Sequence, residues 1–146
     1  MKISFIVPTW HYLNDPFKLQ PYWELYYSTV IKKELNNPEI KIYDLRGKSR
    51  GKNFEGVLSE INEEDFYFYW IMKSGDAIEI YSIVDFLKKK FPNSKHVAGG
   101  THVDMLPEET SKIFDSIVVG PGEESFVNAV KENCEKKKYQ QDYKKF

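Results

Sequence analysis

Cysteine is almost absent from this sequence of 146 residues, which contains only Cys134. A single thiol cannot form an intramolecular disulfide, and it cannot supply the several thiolates that structural zinc sites and iron–sulfur clusters need. We therefore predict no iron–sulfur cluster in this chain, and a fold that is stabilised by packing rather than by cross-links.

Long apolar runs and an excess of one charge are also lacking. The first apolar run begins after Met1 and Lys2 and is interrupted at Pro8, which is too short for a signal peptide or a membrane span. The 21 basic and 22 acidic residues give a net charge of -1, which provides no strong positive field for a nucleic-acid backbone. We expect a cytoplasmic protein with neither nucleic acid nor a membrane as a partner.

The common catalytic and phosphate-binding motifs are missing too. The turn directly after the first apolar run contains no glycine, which excludes a Gly-x-Gly-x-x-Gly dinucleotide motif at that position. No P-loop occurs in the sequence. There is no Ser-His-Asp arrangement, and the acidic residues form no pair placed for general acid–base catalysis. By itself, the chain is therefore not expected to be an enzyme.

The sequence does contain enough apolar material for a core, with 41% hydrophobic and 16% aromatic residues. Strand-like apolar runs are predicted at residues 3–7, 40–43, 66–72, 95–98 and 117–119. Apolar residues at helical spacing predict intervening helices within residues 23–31, 54–61 and 77–87, after Pro107, and within residues 126–134.

This alternation predicts a parallel sheet, because right-handed crossovers return each helix to the sheet. The predicted fold class is α/β, a flavodoxin-like (Rossmann-like) doubly wound five-stranded parallel sheet of order 2-1-3-4-5. Residues 1–133 form the predicted domain, and the polar residues 134–146 are interpreted as a C-terminal tail or linker. Trp70 is interpreted as a core residue of the third strand, and Asp76 with Glu79 as a helix capping box.

The fold also predicts where a ligand would bind, since doubly wound sheets bind ligands at the carboxyl ends of their strands, here between strands 1 and 3. The turns at this edge contain Thr9, Trp10, His11, Ser74, Gly75, Gly99, Gly100, Thr101, His102, Gly120, Gly122 and Glu123. Their glycines allow a ligand to approach the backbone closely, although a tight turn alone explains them equally well. The two histidines are candidates for metal coordination or for hydrogen bonding to a ligand amide, or are ordinary polar surface residues. Trp10 offers a flat apolar wall.

Three stretches in the last three β/α units carry a family resemblance. They are Ala77-Ile78-Glu79, Gly99-Gly100-Thr101-His102 through Pro107-Glu108-Glu109, and Gly120-Pro121-Gly122-Glu123-Glu124. Their order and spacing resemble the N-terminal cobalamin (B12)-binding-type domain of B12-dependent radical SAM enzymes. The match covers residues 65–133, and the first two units match only by pattern.

The resemblance implies that a corrin lies on the carboxyl edge, with its nucleotide tail in the crevice beside Gly99, Gly100 and the Gly120 turn. It implies base-off cobalamin without a histidine ligand, because no Asp-x-His-x-x-Gly motif occurs. Pro121 stands where the family has an acid, which removes a carboxylate and a backbone N–H. The three cysteines of radical SAM chemistry are absent, which implies a separate radical SAM catalytic domain or protein as partner.

Two function hypotheses follow. The first is a stand-alone or truncated cobalamin-binding-type module without the radical SAM cluster. The second is a cofactor-free structural or regulatory protein-interaction domain of the same fold, with Tyr22, Trp23, Tyr26 and Tyr27 as its contact surface. A phosphoacceptor receiver fits poorly because no acidic pair follows strand 1, and a flavodoxin fits poorly because that turn lacks a phosphate-binding run of Ser, Thr and Gly.

Overall fold

The computed structural model describes residues 1–48 and 53–142, which form one parallel sheet covered by helices on both faces. Among these residues the sheet has six strands, in the order β2-β1-β3-β4-β5-β6. The strands are β1 (Lys2–Val7), β2 (Glu39–Asp44), β3 (Phe66–Trp70), β4 (Lys95–Gly99), β5 (Ser116–Val119) and β6 (Lys138–Gln140). The helices are α1 (Tyr22–Glu34), α2 (Phe54–Leu58), α3 (Ala77–Lys90), α4 (Thr101–Met105), α5 (Pro107–Ile113) and α6 (Ser125–Lys131).

Both faces of the sheet are buried because successive side chains along each strand point to opposite sides. In the central strand β3, Phe66 and Phe68 pack in the same cluster as residues of α1 and α6. The intervening Tyr67 and Tyr69 pack instead with residues of α2 and α3. This double burial explains why β3 is apolar almost without interruption.

The five predicted strands are all present, and β1 and β3 are neighbours as the order 2-1-3-4-5 requires. The prediction of five strands is nevertheless wrong, because Lys138–Gln140 forms a sixth strand that pairs in parallel with β5. Only Tyr139 of this strand is buried, at 4% exposure, and a single apolar residue gives too little periodicity to predict a strand.

The segment after β4 forms two short helices rather than one, because the chain leaves helical geometry at Leu106. Pro107 occupies the first turn of α5, as predicted. No helix in the described ranges is long and apolar enough to cross a membrane.

Candidate functional site

The turns that follow β1, β3, β4 and β5 meet at the carboxyl edge of the sheet, where the sequence placed the candidate site. Two hydrogen bonds tie these turns together. The backbone N–H of His102 donates to the carbonyl of Ile71 at 3.0 Å, and that of Gly120 donates to Asp104 Oδ1 at 2.8 Å.

Two buried carboxylates of the β3–α3 segment hold the turn after β1. Glu79 accepts a hydrogen bond from the backbone N–H of Thr9 at 2.8 Å, and its other oxygen lies 3.4 Å from His11 Nδ1. Asp76 accepts from the Trp10 indole at 3.3 Å and from the Tyr12 hydroxyl at 2.6 Å. The capping-box prediction is therefore wrong: the Asp76 side chain does not cap α3, and both acids serve a contact distant in sequence.

Trp10 is positioned by an unusual backbone conformation. Its φ of 48° is left-handed, which costs a bulky residue on the order of 1–3 kcal/mol. The bond to Asp76 offsets part of that cost, and the indole is only 8% exposed.

A cavity of about 140 Å³ lies in the crevice between β1 and β3, and we refer to it as the tryptophan cavity. Its walls contain every tryptophan of the chain, namely Trp10, Trp23 and Trp70. The other lining residues are Pro8, Leu19, Gln20, Glu24, Met72, Lys73 and Asp76. Trp70, predicted as a core residue, packs against the core cluster that contains Phe68 and Phe126, but it is only half-buried and also forms part of this wall.

Glu24 is the unexpected residue of the tryptophan cavity. It is only 5% exposed, and burial raises the pKa of its carboxyl to about 7. The nearest compensating cation is Arg46, but its guanidinium binds both oxygens of Asp44, at 2.9 and 2.7 Å, and the Leu19 carbonyl. The Glu24 carboxylate accepts a hydrogen bond from its own backbone N–H. Within residues 1–48 and 53–142, no other residue donates a hydrogen bond to it.

A second cavity of about 370 Å³ opens on the other side of Trp70, and we refer to it as the edge groove. It is lined by Trp23, Tyr27, Trp70, Met72, Thr101, Asp104, Gly120, Pro121 and Glu123. Its volume is at the lower end of the range for ligand pockets, about 300–1,000 Å³. Trp23, Trp70 and Met72 belong to both cavities and form the wall between them.

Three of the predicted site glycines pack closely against the protein itself. A Cβ at Gly99 would lie 2.7 Å from the Trp70 ring, and one at Gly122 would lie 2.7 Å from Phe126. Gly100 has a φ of 106°, and a Cβ there would lie 2.5 Å from the Ile71 carbonyl oxygen. The protein therefore requires these glycines with or without a ligand, whereas a Cβ at Gly75 would meet open space.

The two predicted site histidines have different environments. His102 is 4% exposed; its Nδ1 lies 2.9 Å from Ser74 Oγ and its Nε2 lies 2.7 Å from the Tyr81 hydroxyl. Both ring nitrogens are thus already hydrogen-bonded inside the protein. The His11 side chain is 59% exposed, and no group of three metal-binding side chains occurs in the part of the chain that the structure describes.

The remaining predicted residues lie at the rim of the edge groove. Thr101 is exposed at the start of α4. Glu123 accepts hydrogen bonds from the Tyr26 hydroxyl at 3.0 Å and from Gln141 Nε2 at 3.2 Å. The segment after β6, which the sequence assigned to a tail, thus helps to position the turn after β5.

No protein-family model and no curated protein matches the chain. Among solved structures, two of the radical S-adenosylmethionine methyltransferase TsrM from Kitasatospora setae match 90% of this chain at 15% identity. One contains cobalamin and a [4Fe-4S] cluster, and the other contains tryptophan substrate and a SAM analogue; their TM-scores are 0.63 and 0.64. The chain shares its fold with part of TsrM. It spans only 24% and 26% of the two TsrM chains, and the predicted resemblance is confirmed at the level of the fold.

Proposed function

We propose that this chain is a cobalamin-binding-type module that supplies a corrinoid to a separate radical SAM partner. The observation that carries the proposal is the edge groove, a cavity at the carboxyl edge of a fold that is also present in a cobalamin-containing enzyme. Cobalamin provides a reactive cobalt centre, and the residues discussed next would bind and orient it.

The lining of the edge groove fits a flat macrocycle in part. Trp23, Trp70 and Met72 offer apolar surface, and the turn at Gly120 and Pro121 adds backbone with little side-chain bulk. Thr101 and Asp104 would offer polar contacts to the periphery of the corrin. Because a corrin is larger than the groove, it would rest on the opening rather than enter it fully.

The nucleotide tail is less well accommodated. The space beside Gly99 is filled by the Trp70 ring, which also packs against Tyr27 with a centroid distance of 4.7 Å. A tail inserted beside Gly99 would have to displace that ring, so the proposal favours a corrin on the rim.

The partner is proposed from what this chain lacks. Its one cysteine cannot bind a radical SAM cluster, and the chain matches only about a quarter of TsrM. We therefore assign the substrate and the radical chemistry to another polypeptide or domain.

Absorption spectroscopy of the purified chain with hydroxocobalamin tests this proposal. We expect colour that stays with the protein after desalting, a changed visible spectrum, and a Kd below about 10 μM, which corresponds to about -7 kcal/mol. A spectrum identical to that of the free cofactor, with protein at tens of micromolar, would contradict the proposal.

Two tryptophan substitutions test where the cofactor binds. Thr101→Trp fills the rim of the edge groove, whereas Asn93→Trp adds the same side chain at an exposed position near the opposite edge of the sheet. We expect the first change to weaken binding at least tenfold and the second to leave it unchanged. Equal binding by both variants would place the cofactor elsewhere.

The alternative, a cofactor-free protein-interaction domain, has one observation in its favour. Tyr22 and Leu25 on α1 are 62% and 52% exposed, which leaves apolar surface open to a partner. The rest of the predicted contact surface is less available, because Tyr27 is buried and Trp23 and Tyr26 are half-buried.

A further inference from the structure

All three tryptophans of the chain lie on one small cavity, although they come from three separate segments. Trp10 belongs to the turn after β1, Trp23 to α1 and Trp70 to the end of β3. The Trp23 and Trp70 rings contact each other with centroids 5.6 Å apart. Indole faces carry negative electrostatic potential, and they attract cations held within about 6 Å.

The tryptophan cavity also contains two carboxylates, each more than nine-tenths buried. Asp76 is 6% exposed and is committed to Trp10 and Tyr12. Glu24 is 5% exposed and, among the residues described, receives no hydrogen bond from another residue. Burial disfavours the ionised form of Glu24, and a bound group of opposite charge would offset that cost.

The described cations nearest to Glu24 do not pair with it. Arg46 is held by Asp44 and the Leu19 carbonyl. Lys73 lines the cavity but is exposed, and no ion pair is found for it within the described ranges. Within residues 1–48 and 53–142, Glu24 thus forms no ion pair with a lysine or arginine, and a cation bound in the cavity would complement its charge.

The size and lining of the cavity restrict the nature of this cation. A cavity of about 150 Å³ accommodates benzene in other proteins, so about 140 Å³ admits a group of a few heavy atoms. A hydrated metal ion would want several oxygen ligands, whereas here most of the wall is aromatic or aliphatic. Tryptophan faces beside a carboxylate suit a methylated ammonium group, whose charge is spread over apolar methyl groups.

We propose that the tryptophan cavity is a binding site for a small organic ammonium group, held by the faces of Trp10, Trp23 and Trp70 and neutralised by Glu24. This cavity and the edge groove lie on opposite sides of the Trp23, Trp70 and Met72 wall. It can be tested without any cobalamin present.

Tryptophan fluorescence provides a direct assay, since every fluorescent indole lines the cavity. The full chain would be titrated with choline chloride, with sodium chloride as the ionic-strength control and 3,3-dimethylbutan-1-ol as the uncharged isostere. The titration is run at pH 8, where Glu24, with its pKa of about 7, is largely ionised. We expect a saturable change in emission with choline, and binding of the isostere at least tenfold weaker.

Two substitutions on the same helix locate the charge. Glu24→Gln removes it, while Glu34→Gln removes an exposed carboxylate that does not line the cavity. We expect the first to weaken choline binding at least tenfold and the second to have no effect.

The outcomes are decisive in both directions. Absence of any saturable response to choline, or equal binding of choline and its isostere, would overturn the proposal. So would unchanged binding in folded Glu24→Gln protein. If that variant does not fold, the comparison of choline with its isostere on the unmodified chain still decides the question.

Discussion

Glu24 opposes folding at neutral pH, because its carboxyl is buried where the ionised form is poorly solvated. Its pKa is about 7 in the folded chain, against an ordinary value of 4.5. Between these two values the folded state holds the proton more tightly than the unfolded state does, so stability falls as pH rises. At about 1.4 kcal/mol per pH unit, the loss is on the order of 3 kcal/mol by pH 8.

The Glu24→Gln variant removes this titration. Relative to the unmodified chain, we expect the variant to gain stability between pH 4.5 and pH 8, by up to about 3 kcal/mol. Urea denaturation at the two pH values measures the difference, with Glu34→Gln as the control. A difference between Glu24→Gln and the unmodified chain that does not change with pH would show that Glu24 is ionised normally in the fold.

Single residues also mark where prediction from sequence ends. The glycines at 99, 100 and 122 were recognised as positions without side chains, but the groups that need this space are Trp70, Ile71 and Phe126. Trp70 lies a full β/α unit before Gly99 in the sequence. Contacts between residues so far apart along the chain produce no pattern in the local sequence. The acids Asp76 and Glu79 matched a local motif, yet they bind the turn after β1, more than 60 residues away.

At the scale of elements, strands with a strong apolar pattern could be predicted and β6 could not. Residues 138–140 are polar, aromatic and polar in turn. They follow a lysine-rich stretch, which is typical of a solvent-exposed segment without regular structure. The strand is specified by its neighbours: the backbone of Ile117 donates to the Lys137 carbonyl at 2.8 Å, and the Tyr139 ring packs in the core with Val118 and Phe126.

Substitutions in β6 test whether this strand stabilises the fold. Tyr139→Ala is expected to cost about 3–5 kcal/mol of unfolding free energy, because it empties a buried aromatic position. Tyr139→Phe loses only the hydrogen bond from the Lys136 backbone and is expected to cost about 1 kcal/mol. Lys138→Ala, at an exposed position of the same strand, serves as the control. If all three were neutral in urea denaturation, the segment would behave as the tail that the sequence suggested.

For the whole molecule, the parallel sheet and the order of its first five strands could be predicted from the alternation of strands and helices. The tryptophan cavity could not, because its three rings come from distant segments and its carboxylate lies on α1. The aromatic content of 16% predicted a large core. It did not indicate that every tryptophan would gather at one crevice.

The oligomeric state separates the two function hypotheses at this scale. A module that serves a separate catalytic partner is expected to be a monomer of 17.2 kDa at tens of micromolar. The exposed Tyr22 and Leu25 provide little of the roughly 1,200–2,000 Å² that stable interfaces bury. Size-exclusion chromatography with light scattering measures the mass. A dimer that Leu25→Glu dissociates, and that Lys33→Glu on the same helix does not, would instead favour the interaction domain.

The wall that Trp23, Trp70 and Met72 form between the two cavities has a thermodynamic consequence. Trp70 also donates from its indole N–H to the Met72 sulfur at 3.0 Å, so the two side chains are linked within that wall. A ligand that moves this wall from the tryptophan cavity changes the surface available to a ligand in the edge groove, and the reverse also holds. By linkage, any influence of a corrinoid on ammonium affinity must then be matched by an equal influence of the ammonium on corrinoid affinity.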